Sequence, residues 1–143
     1  MRPGSAWAAA LLVAGCAGSN GTEGRTEPEA PDLAVSLEVD VAPGSVGLAL
    51  HVTNSGADPV TFTFPSSQRY DFVISTPAGE EVWRWSEGRF FTQAVTEATL
   101  APGASWSMEA EWDPGTRTGR YTAAGVLTAR DRGVRQSTAF EIR

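Results

Sequence analysis

The chain carries one cysteine and one histidine, Cys16 and His51. A hydrolytic nucleophile needs a base beside it. His51 sits in GLALHVT, where the alternation of apolar and polar residues puts it on the solvated face of a strand. No spacing of histidine, aspartate and glutamate suggests a zinc or calcium site, and no cofactor motif is present. These residues argue against an enzyme and against a metalloprotein. Chemistry of another kind, recognition of a partner surface, is concentrated in EVWRWSEGRFF from Glu81, which packs two tryptophans, two phenylalanines and two arginines together.

Within this stretch, Trp83 and Trp85 alternate with Val82 and Arg84, and upstream Tyr70, Phe72 and Ile74 alternate with Arg69, Asp71 and Val73. A hairpin turning at Ala78–Gly79 pairs Ile74 with Trp83 and Phe72 with Trp85 on one face. It leaves Asp71 diagonal to Arg84 on the other, as a partly exposed ion pair. The tryptophans then read as core. SEGRFFTQ reads differently. Neighbours in a period-two strand cannot both point inward, so one of the adjacent Phe90 and Phe91 is exposed, or a loop folds over an edge. Arg89, Phe90 and Phe91 form either a protein-contact loop or a cap on the open end of the fold.

The elements that position these residues follow from the rest of the chain. LAVSLEVDV, SVGLALHVT, PVTFTF, SWSMEAEW and VRQSTAFEI all alternate strictly, the signature of half-buried antiparallel strands. Turn residues fill the gaps, as in APGS at 42–45, NSGADP at 54–59, TPAG at 76–79, APGA at 101–104 and DPGT at 113–116. No stretch shows helical periodicity. GRYTAAGVL resembles the strand that bears a tyrosine corner, with Tyr121 in that role. The expected fold is all-β, an immunoglobulin-like antiparallel β-sandwich over residues 32–143.

The N-terminal segment is of another kind. MRPGSAWAAALLVAGC has one early positive charge, a short uncharged apolar run and small residues before Cys16. It resembles the signal peptide and lipobox of bacterial lipoproteins, with residues 1–15 removed and Cys16 carrying the lipid. Residues 17–31 are polar and proline-bearing and cannot repay the entropy of ordering. They read as a tether spanning at most about 50 Å. The chain is thus expected to be exported and lipid-anchored to the cell membrane or outer membrane, its domain facing the periplasm or exterior. With 17 acidic residues against 11 basic ones, all arginine, the body is a poor ligand for nucleic acid.

The segment from Asn54 to Ser105 resembles the intracellular proteinase inhibitor family of Bacillus, the BsuPI domain. QRYDFVI followed at short range by VWRWS, a glycine and FTQ carries the resemblance most specifically. Its signature residues here are Arg69, Tyr70, Asp71, Phe72, Trp83, Arg84 and Trp85. The resemblance implies a β-sandwich and inhibition of a serine protease; it transfers no inhibitory position. On the inhibitor reading, Arg89 is the best-placed side chain for a trypsin-like pocket, and Arg84, mid-strand and paired, is worse placed. Edge-strand addition is a second route to a partner. The alternative is a non-inhibitory module that docks another envelope protein.

Overall fold

The structure, a computed structural model, describes residues 32–143. The expectations for Cys16, for the signal peptide over 1–15 and for the tether lie outside the described residues. Nine strands follow in order: β1 (Leu33–Ala42), β2 (Ser45–Asn54), β3 (Val60–Phe64), β4 (Tyr70–Ser75), β5 (Glu81–Arg84), β6 (Thr96–Leu100), β7 (Ser105–Trp112), β8 (Gly119–Leu127) and β9 (Val134–Ile142). They form sheets ordered β1-β2-β7, β3-β6 and β5-β4-β8-β9, and every pairing is antiparallel. This is an all-β sandwich.

Period-two sequences become strands with one face inward. In β2, Val46, Leu48, Leu50 and Val52 are buried and meet Phe62, Phe64, Phe72, Ile74, Leu100 and Trp112 in a single core. Each fully buried Phe or Leu contributes about 1.5–3 kcal/mol. The inward residues Leu33, Val35, Leu37 and Val39 of β1 are only half-buried, because β1 is an edge strand paired with β2 alone within its sheet. β4 differs from all of these, since Asp71, Phe72, Val73 and Ile74 are buried on both faces. Beside it in the sheet, opposite Phe72, Gly125 of β8 is closely approached: a Cβ there would lie 3.2 Å from the Phe72 ring and 3.3 Å from Leu50, so a neighbour would have to shift.

The β4–β5 hairpin has the expected register. Ile74 pairs with Trp83, and the Trp85 N–H donates to the Phe72 carbonyl at 2.9 Å, continuing the ladder past the strand end. A bulge between Ile74 and Ser75 brings Ser75 opposite Glu81. The segment TEATL, which the turn-and-strand reading passes over, forms β6 against β3.

Candidate functional site

Two clusters radiate from the β4–β5 hairpin, one polar and one aromatic, and between them they hold the segment that joins β5 to β6. The polar cluster centres on Asp71, which is 4% exposed. Its Oδ1 accepts the backbone N–H groups of Phe72 at 2.9 Å and Ser86 at 3.0 Å. Its Oδ2 accepts the Ser86 hydroxyl at 2.6 Å and Arg84 Nη1 at 3.1 Å. A lone buried carboxylate would be strongly disfavoured; four donors, one of them cationic, make this one tenable. The expected Asp71–Arg84 pair forms and is partly exposed, with the Arg84 side chain 41% and the Asp71 side chain 6% exposed.

Arg84 completes its fork on Glu81, with Nε at 3.1 Å and Nη2 at 2.8 Å from the two carboxylate oxygens. Its hydrogen bonds hold the Glu81 carboxyl below the ordinary glutamate value. Glu81 in turn, with help from Asp71, pushes the Arg84 guanidinium further up.

The aromatic cluster runs along the inner side. The Trp85 ring stacks on Tyr70 at 4.5 Å, and Tyr70 meets Phe72 edge-on at 5.9 Å. Trp83 turns away from this group toward Trp112, at 6.4 Å. Arg69 lies over the Phe64 ring at 5.2 Å. Both tryptophans are half-buried and pack against the core. That agrees with a structural role for them rather than an open stacking platform.

The loop itself starts as a turn over residues 85–88. Glu87 N–H donates to Arg84 O and Arg89 N–H to Ser86 O, both at 3.1 Å. Gly88 takes φ 84°, a left-handed conformation that an L side chain would strain. Arg89 then folds back, with its Nε donating to the Trp85 carbonyl at 2.8 Å and its guanidinium 4.2 Å above the Trp85 ring. Phe91 also meets this indole, 6.0 Å between centroids and tilted. Phe90 between them is 97% exposed. At the far root, Ser67 N–H donates to Thr92 O at 2.9 Å, and Thr92 N–H to the Ser67 hydroxyl at 2.8 Å.

Phe90 is thus exposed, while Phe91 is partly buried against Trp85. Arg89, expected as the projecting side chain, is exposed and also hydrogen-bonded to the domain. Ser67, Ser86 and Thr92, which fix the roots, were not singled out from sequence; small hydroxyl residues in turns leave no periodic signal. His51 lies where the alternation puts it, on the outer face of β2, with Nδ1 2.8 Å from the Ser107 hydroxyl and Nε2 3.4 Å from Glu38. Tyr121 directs its hydroxyl to the Thr118 carbonyl at 3.4 Å.

The sequence model of BsuPI, described as intracellular proteinase inhibitor, matches residues 33–132, and these span the whole site. The chain belongs to the BsuPI family. No curated protein matches it. Among solved structures, a penta-heme cytochrome c552 from Thermochromatium tepidum matches with TM-score 0.48 and 8% identity over 78% of this chain and 40% of that one. A beta-glucosidase from Kluyveromyces marxianus matches with TM-score 0.45 and 12% identity over 78% of this chain and 14% of its own. Beta-glucosidase 3B from Thermotoga neapolitana gives 0.39 and 14%, over 76% and 16%. The chain spans less than half the length of each, and likeness at this level bears on neither activity nor partner.

Proposed function

We propose that this BsuPI-family chain is an exported, lipid-anchored inhibitor of a serine protease. On this reading residues 1–15 are the signal peptide, Cys16 takes the lipid, 17–31 tether the domain, and 32–143 form the inhibitory sandwich. The observation that carries the reading is the family match over residues 33–132. The loop that follows β5 supports it: an inhibitor must offer an exposed segment that stays rigid enough to resist turnover. This one is anchored at both roots without a disulfide, through Asp71 and Trp85 on one side and Ser67 on the other. The strand order, with β5-β4-β8-β9 as one layer and β1-β2-β7 in the other, supports an immunoglobulin-like sandwich.

The direct test titrates the full chain, in detergent, against active-site-quantified trypsin-like and subtilisin-like proteases. A stoichiometric loss of activity of at least one of them is expected. Steady digestion without inhibition would instead favour a module that binds another envelope protein through the same sandwich. Lipidation is tested separately, by incorporation of labelled palmitate into wild type and its loss in Cys16→Ala. Equal labelling of both would remove the anchor.

A further inference from the structure

We propose that Phe90 is the side chain that enters the protease's primary pocket, that this pocket is wide and apolar, and that the Phe90–Phe91 peptide bond is the one presented to the nucleophile. The inference rests on the inhibitor reading and gives it a residue and a specificity.

The geometry around one indole carries it. Arg89 and Phe91, the residues on either side of Phe90, are both held on Trp85: Arg89 through a 2.8 Å hydrogen bond and a 4.2 Å stack, Phe91 through ring contact at 6.0 Å. Trp85 is itself fixed by Tyr70 and by the Phe72 carbonyl. With both neighbours held against Trp85, Phe90 between them is left to project, and it does so at 97% exposure. Residues 89–95 belong to no strand, which suits a segment that must lie extended in a protease cleft. Arg89 is a poor occupant of a basic-selective pocket, because entering one would break its bond to the Trp85 carbonyl and lift it off the ring.

The same arrangement accounts for resistance to turnover. The protease serine oxygen attacks the Phe90 carbonyl carbon, the bond to the Phe91 nitrogen breaks, and the proton taken from the serine hydroxyl passes to that nitrogen. In an ordinary substrate the new amine departs and water releases the acyl group. Here Phe91 remains on Trp85, and Thr92 is tied to Ser67. The amine stays beside the acyl carbon, so re-formation of the peptide outpaces hydrolysis.

The test uses the full chain against chymotrypsin, whose primary pocket is a hydrophobic slot, and trypsin, whose pocket carries an acid. Wild type should inhibit chymotrypsin and spare trypsin. Phe90→Ala should weaken chymotrypsin inhibition by roughly 100-fold or more, and Phe90→Arg should transfer inhibition to trypsin. Arg89→Ala should keep the chymotrypsin preference but be cleaved faster, with mass spectrometry placing the cut after Phe90. Chymotrypsin inhibition unchanged in Phe90→Ala would overturn the assignment and leave the inhibitor reading standing. Trypsin inhibition abolished by Arg89→Ala would overturn it in favour of Arg89. Inhibition of neither enzyme would overturn this inference, and the subtilisin-like titration would then decide the inhibitor reading by itself.

Discussion

Two buried polar side chains each organise a set of loops, and they do so with different chemistry and different results. Asn54 is fully buried at the end of β2. Its amide donates to the carbonyls of Asp58 at 2.8 Å and Leu100 at 2.9 Å, and its oxygen accepts the Gly56 N–H at 3.0 Å. Its backbone is bonded to Ala104 and Gly103. The turns at 54–59 and 101–104 are thereby drawn onto the body. Asp71 is held as completely, but as an anion, and the loop it roots presents Phe90 and Val95, two of the three large apolar side chains exposed among the described residues. A buried polar anchor says that a loop is fixed. What the fixed loop exposes says whether it faces a partner.

The comparison breaks first at Asp71. Asp71→Ala strands the Ser86 N–H and takes from Arg84 its buried partner, which costs about 1.5–3 kcal/mol for each charge-assisted bond lost. Chemical denaturation should report this as a lower midpoint. Hydrogen exchange should show residues 85–95 loosened beyond the global change, because Ser86 loses both of its bonds to the carboxylate. Loss of stability with an unchanged loop would mean that Trp85 alone sets the loop's shape.

Asn54→Ala should cost less, about 1–3 kcal/mol, since the orphaned groups are neutral. Exchange should quicken at 54–59 and 101–104 and remain as in wild type at 85–95. A cost above that of Asp71→Ala would show that charge is not what separates the two anchors.

The two regions also differ in how much of them is legible in the sequence. Strand positions follow from period two, and the β4–β5 register from period two with the turn at Ala78–Gly79, because alternation and turn chemistry are local properties. β6 was missed because five residues with two threonines and a glutamate give only a weak apolar face. The burial of Asp71 was not legible at all. It depends on Arg84 and the 85–88 turn folding across the outer face of β4, and no pattern within YDFVIS records that. The contact of Arg89 with an indole four residues earlier was not legible for the same reason.

The smallest expected effect concerns acid. Glu81 is held below its ordinary value chiefly by its hydrogen bonds to Arg84, and Asp131 by the Thr63 backbone N–H. A carboxyl whose folded value is depressed gives up its proton more readily in the folded chain. On acidification the unfolded chain therefore binds the proton first. The stabilisation is complete above the ordinary carboxylate range and is lost as pH falls through that range and down past the folded values. Glu81→Gln should be slightly less stable than wild type at about pH 7 and indistinguishable from it at about pH 2. The difference is small because Glu81 is exposed and its pairing is screened. Denaturation midpoints at the two pH values test the sign. A gap that persists or widens in acid would mean that Glu81 acts by packing along the Arg84 side chain rather than by its charge. The electrostatic contrast between this hairpin and the neutral Asn54 region would then rest on Asp71 alone.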